Sequence, residues 1–218
     1  MSSNEVGFKS LKTLTKWISY VLYAQILIAI LSIIFGLLEQ QLLSGYQEGV
    51  YASIEEAFAD GDTTIVLLQG IGIASLIAFV ASAVLIIKWI YRANYNVRQL
   101  GAQNMSYTPA WSIGYYFIPV FNLWKPYQAM KEIWMASKNP LDWSLTKISP
   151  ILPVWWALWL TSNILSQSVF RLSAEAVELS ELMNLNMLSQ VSNLLDIPLA
   201  LVTLAIINGI YRMQSSHE

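Results

Sequence analysis

Residues 92–139, RANYNVRQLGAQNMSYTPAWSIGYYFIPVFNLWKPYQAMKEIWMASKN, lie between long apolar runs yet mix charged, amide and aromatic side chains. Arg92, Asn94, Asn96, Arg98, Gln99, Gln103 and Asn104 continue the preceding helix with a polar surface, and Gly101 supplies its stop. Ala110 to Trp124 is apolar and aromatic but only 15 residues long, against the roughly 20 that a helix needs to cross hydrocarbon. Pro119 removes a backbone donor in its middle. Asn122 is expected to cap a new helix whose first turn tolerates Pro126, because the first N–H groups of a helix lack helical partners. Leu123, Tyr127, Met130 and Trp134 recur at helical spacing while Lys125, Gln128 and Glu132 fall elsewhere, the pattern of a helix in the headgroup layer. The stretch therefore predicts a broken interfacial or re-entrant helical segment.

The frame around it is hydrophobic. The 218 residues are 56% hydrophobic and 12% charged, with a mean hydropathy of +0.49, as in membrane proteins. The absence of cysteine removes disulfides, thiolate metal sites and cysteine nucleophiles. Trp17 to Leu38 follows Lys9, Lys12 and Lys16 and has 22 residues, too many for the apolar core of about 7–15 in a signal peptide. It reads as an uncleaved first crossing. Further crossings are predicted at 64–91, 150–170 and 191–211, the third opened by Ser149 and Pro150. Gly70, Gly72, Ala74, Ser75, Ala78, Ala81, Ser82 and Ala83 predict close approach of another helix in the second. The expected fold is an all-α membrane protein: one domain over 1–218, with four transmembrane helices and short acidic external helices. One of these has a Ser53–Glu56 capping box and ends at Asp60-Gly61; the other carries Glu175, Glu178 and Glu181.

The tripeptide RAN at 92–94, the tract PAWSIGYYFIPVFNLWKPYQAMKEIW at 109–134 and the small polar segment after it resemble the signature of domain of unknown function 4328, a bacterial integral-membrane family. The resemblance is strong over Lys88 to Lys138 and extends to the flanking helices only in their number and hydrophobicity. It implies a multi-helix membrane protein with no assigned activity, and it supplies no catalytic residues.

Charge is unevenly distributed. Segments 1–16, 88–147 and 212–218 hold 11 Lys or Arg and 4 Asp or Glu, a net +7, whereas the rest of the chain carries −9. Because Lys and Arg in short loops face the cytoplasm, both termini and the central stretch are expected there, in a bacterial plasma or inner membrane. Ile86, Ile87, Ile90, Tyr91 and Arg92 match Ile206, Ile207, Ile210, Tyr211 and Arg212 in spacing, which raises the reading of two like-oriented hairpins.

The favoured functional reading is a non-enzymatic scaffold or interaction protein. Arg92, Arg98, Lys125 and Lys131 would contact anionic membrane lipid or a protein partner, a second copy included. The alternative is a small transporter, channel or lipid-handling protein whose cavity or structural polar cluster contains Asn94, Asn122, Glu132 and Asp196. Two readings of Asp196 stand: with Pro198 it forms a helix cap at the outer interface, or it is a buried ionisable group on an ion path. Glu132 is expected to pair with Arg92 or Arg98. No HExxH, GxSxG or phosphate-cradling loop occurs, and the sole histidine is His217 in the tail. Neither a cofactor nor nucleic-acid binding is therefore expected.

Overall fold

The computed structural model describes residues 7–216, so His217 lies outside the described residues. The described chain is helical: α1 (Lys12–Gln47), α2 (Ile54–Asp60), α3 (Asp62–Gln99), α4 (Pro109–Gly114), α5 (Lys125–Lys138), α6 (Ile151–Glu175) and α7 (Leu179–Ser215), with short 3-10 turns between α4 and α6. Three helices, α1, α3 and α7, are long and apolar enough to cross a membrane. At about 1.5 Å per residue each exceeds the roughly 30 Å of bilayer hydrocarbon, so their ends must project into headgroups or water. The 25-residue α6 has the length, but three tryptophans, Asn163 and Gln167 interrupt its aliphatic run.

Local chemistry explains most of the helix ends. Ser53 Oγ accepts the Glu56 N–H (3.2 Å), while Glu56 Oε2 reaches back to the Ala52 N–H (2.6 Å), so the predicted capping box opens α2. Gly61 follows as its C-cap. At the far end of α3, the Ala102 N–H bonds the Val97 carbonyl (3.0 Å) and the Gly101 N–H bonds the Arg98 carbonyl (3.2 Å), with Gly101 at φ +103. This is a Schellman motif, and Val97 and Ala102 supply its apolar contact.

Two expectations about helix ends fail. The separate acidic helix within 171–190 does not form, because residues up to Glu175 complete α6 and α7 begins at Leu179. The Glu181 carboxylate accepts the N–H groups of Val177 (2.9 Å) and Glu178 (3.1 Å), which holds it below the usual carboxylate range. The acidic triplet thus marks a corner. Nor does a helix start at Asp196: α7 continues through Pro198, as membrane helices can where neighbouring groups satisfy the freed carbonyl.

The chain contributes to two compact units. Among the described residues, unit 1 takes 7–22, 81–157 and 201–216, and unit 2 takes 23–80 and 158–200. Unit 1 has a dense core in which Leu11, Ile18, Trp89, Ile133, Leu152 and Ile210 are almost fully buried, and the Trp89 indole donates to Thr15 Oγ1 (2.9 Å). In unit 2, Ile73, Leu76, Ile77 and Val80 form an exposed helical stripe on α3, the kind of surface that lipid covers. The close helix approach expected at Gly70 and Gly72 is absent, since a Cβ at either position would meet nothing within 4 Å. The two supposed repeats also differ: Ile206 and Ile207 are buried while Ile86 and Ile87 are half-buried, and α2 has no counterpart between α6 and α7.

Gly101→Ala should destabilise the protein by about 1–2 kcal/mol, the cost of forcing a Cβ into the left-handed region, as read by thermal unfolding in detergent. An unchanged midpoint would count against the Schellman geometry.

Candidate functional site

After the α3 glycine stop the chain must turn back towards α4 without helical hydrogen bonds, and the backbone of residues 105–107 is satisfied by side chains instead. Glu132, only 8% exposed on α5, accepts the N–H groups of Ser106 and Tyr107, each at 3.2 Å. On the carbonyl side, Arg98 donates to the Tyr107 oxygen (2.7 Å) and the Met105 oxygen (3.5 Å), and fully buried Asn94 adds 3.1 Å to Tyr107. The Asn94 oxygen in turn accepts from Arg98 Nε (3.2 Å). The Tyr107 hydroxyl donates to Gln128, and Lys125 Nζ donates to that hydroxyl (3.3 Å) while lying over the Tyr107 and Tyr115 rings. Glu132 and Arg98 thus hold opposite polarities of the same backbone. The expected Glu132 pairing with Arg92 or Arg98 is not formed among the described residues.

A second network joins the ends of the chain. The Asn96 amide pairs with the backbone of Lys9, accepting from its N–H (2.9 Å) and donating to its carbonyl (2.8 Å). Asn96 also donates to Gln214 Oε1 (3.1 Å). The fully buried Gln214 amide nitrogen donates to the Ala93 carbonyl (3.1 Å) and Ser137 Oγ (2.9 Å). Arg92 donates to the Ser10 carbonyl (3.0 Å).

Between α4 and α5 the backbone breaks near Pro119, as the sequence suggested. The Phe121 N–H bonds the Pro119 carbonyl (2.9 Å) across Val120, which sits at φ +71, ψ −53, the rare and strained γ-turn. Rings brace the turn: Tyr115 and Phe121 lie 5.9 Å apart, Phe121 and Trp124 5.7 Å. The Trp156 indole also donates to the Leu123 carbonyl (2.9 Å). Asn122 does not cap α5. It lies within the preceding 3-10 turn, and Trp124 takes the cap position with no side-chain bond. Glu132, expected on the polar face of α5, is instead buried with Pro126, Ala129, Met130, Ile133 and Ser137, while Leu123 is exposed and Tyr127 and Trp134 are half-buried. Small Ala129, Ala136 and Ser137 let neighbours approach closely, and Glu132 is buried because backbone donors await it.

The sequence-predicted residues therefore separate. Asn94, Glu132, Arg98 and Lys125 meet around Tyr107; Asn122 stands apart at the turn, half-buried Lys131 has no bonded partner among the described residues, and Asp196 belongs to unit 2. There Asp196 Oδ1 accepts from Ser162 (2.6 Å) in mid-helix, so the cap reading of Asp196 is overturned. Asn186, Asn96 and Gln214 were missed as a set. Their signal was present, since amides within apolar helices seek partners across the bundle.

Glu132→Ala should cost about 1–3 kcal/mol by orphaning the buried Tyr107 N–H and releasing that of exposed Ser106, and Glu132→Gln less; equal thermal midpoints would refute the clamp. Val120→Gly should raise stability by about 1 kcal/mol, because the relieved strain of about 1–3 kcal/mol exceeds the roughly 0.5–1 kcal/mol that glycine loses in entropy. A lower midpoint would contradict the strained turn.

Comparison with known proteins yields one family. No curated protein and no solved structure matches the chain. The model of a domain of unknown function, DUF4328, matches residues 53–212, from the cap of α2 to Arg212 near the end of α7. That match takes in the Tyr107 clamp, the strained turn and the unit 2 amides together, and the chain belongs to the DUF4328 family.

Proposed function

We propose that the chain is a non-enzymatic, four-crossing protein of the bacterial plasma membrane that engages anionic lipid headgroups through a cationic cytoplasmic face. The charge partition carries this reading. Among the described residues unit 1 holds 11 Lys or Arg against Glu132 and Asp142, while unit 2 holds Arg171 against 10 Asp or Glu. Basic segments stay on the cytoplasmic side, which puts unit 1 there. Crossing parity then requires α6 to span as well as α1, α3 and α7. With three crossings the acidic corner at 175–181 would face inward and Arg212 outward, the reverse of the rule. At about 1.5 Å per residue the 25 residues of α6 reach past a 30 Å core.

The exposed rings of Trp111, Phe117 and Phe121 around the irregular turn suit the interfacial layer. Unpaired backbone is not tolerated in hydrocarbon, and amphipathic aromatics favour the interface. The lipid contacts shift from the four first expected. Arg92, Arg98 and Lys125 are turned towards carbonyls and rings, half-buried Lys131 keeps no bonded partner among the described residues, and Lys12, Lys16, Lys88 and Arg212 stand exposed on α1, α3 and α7.

The cysteine-free chain allows single-cysteine mapping in intact cells with a membrane-impermeant maleimide. Ser144→Cys and Ser216→Cys should stay unlabelled, and Gln47→Cys and Val177→Cys should label; external labelling of Ser144→Cys would overturn the four-crossing arrangement. In nanodiscs, anionic lipid should be enriched around the protein and the enrichment should fall with rising salt. Replacing Lys12, Lys16, Lys88 and Arg212 by Glu should abolish it, and equal enrichment in wild type and variant would sink the headgroup reading.

A further inference from the structure

Unit 2 contains a cleft of about 530 Å³ between its parts of α1, α2, α3, α6 and α7, a volume within the usual range for small-molecule sites. One wall is a polar stripe on α7: Asn186, Ser189, Gln190, Asn193 and Asp196 recur at helical spacing inside an otherwise apolar helix. The facing wall is mixed: Leu43, Phe58, Leu68, Ile71 and Val169 supply its apolar surface, interrupted by Ser32, Ser75, Ser166 and Ser173.

The ends of the stripe are acidic. Glu39 Oε2 accepts from the Asn186 amide (2.6 Å) and Asp196 Oδ1 accepts from Ser162 (2.6 Å), while the second oxygen of each carboxylate has no partner among the described residues. No Lys or Arg lines the cleft. Ser192, only 7% exposed, also lines it and has no hydrogen-bond partner among the described residues. Its hydroxyl is open to the cleft. Polar groups left open in a lined cavity call for an occupant that satisfies them.

Spacing identifies that occupant. Ten residues of α7 separate Asn186, the partner of Glu39, from Asp196, or about 15 Å along the helix. One metal ion cannot touch both ends, and a single carboxylate at each is a poor ligand set for a divalent ion. An acyl chain would suit the apolar wall but leave both carboxylates uncompensated, a costly state away from water. A linear molecule with cationic ends and a middle of methylene segments interrupted by amines matches both walls and both ends. We propose that the unit 2 cleft binds a linear aliphatic polyamine, its terminal ammonium groups on Glu39 and Asp196, its inner ammonium groups on the carboxamides and hydroxyls of the α7 stripe, and its methylene segments along the apolar parts of the facing wall. This site is separate from the headgroup-binding face and requires no particular membrane orientation.

The test is calorimetric titration of the full-length protein in nanodiscs of zwitterionic lipid with spermine, with the shorter diamine putrescine and with magnesium chloride at matched ionic strength. Spermine should bind saturably, at least about tenfold more tightly than putrescine, which cannot reach both carboxylates. Glu39→Gln and Asp196→Asn should each weaken spermine by about tenfold or more, whereas Glu55→Gln, outside the cleft, should leave it unchanged. Glu39→Gln, in the last turns of α1, reports even if Asp196→Asn fails to fold. Absent saturation, equal affinity for putrescine, displacement by magnesium alone, or unchanged binding in Glu39→Gln would each overturn the proposal.

Discussion

The peptide groups on either side of Tyr107 connect a helix end to a helix middle. Leaving α3, the chain has spent its glycine on the Schellman turn and enters residues 102–108 with no helix or sheet to pair its backbone. Arg98 and Asn94, in the last turns of α3, bind the carbonyl side; Glu132, midway along α5, binds the N–H side. Charge-assisted bonds of this kind are about twice as strong as neutral ones, and burial raises the cost of losing either partner. The loop therefore acts as a rivet between α3 and α5. The close packing of Ala129, Ile133 and Ala136 is possible only while that spacing is held.

This arrangement shows why the sequence was legible in its local signals and not across the fold. Gly101, the Ser53–Glu56 box and the Pro119 break all act within a few residues, and each does what its chemistry implies. The facing of α5 was misread because periodicity assigns Glu132 to water, whereas its partners are N–H groups 25 and 26 residues earlier in the chain. Asp196 with Pro198 was misread in the opposite sense. A cap signature is strong in an isolated helix, but α7 gains more from continuing through the proline than from starting at it. The acidic triplet at 175, 178 and 181 has helical spacing, yet Glu181 is spent on the N–H groups of a corner.

Among the four candidate cations the same competition decides the outcome. A guanidinium near unpaired carbonyls is drawn inward, because Arg offers five donors in a fixed fork. Arg92 and Arg98 accordingly serve Ser10, Met105 and Tyr107. Lysines on exposed helix ends have no such carbonyls within reach and keep their charge at the surface. Composition could predict the sign of this face but not which residues present it.

The polar residues of the long helices divide by how completely they are satisfied. In unit 1, Asn94, Asn96 and Gln214 use both ends of their amides, and every partner belongs to the chain. Their role is closed within the fold. In unit 2, Asn186 is similarly occupied, but Ser192, Asn193 and one oxygen each of Glu39 and Asp196 have no partner among the described residues. Polar groups within membrane helices are costly unless partnered, so an unsatisfied set that shares one cleft differs in kind from a satisfied set that shares one core. Hydrogen-bond completeness, more than residue type, separates the amides that build this protein from the groups that remain free to receive something else.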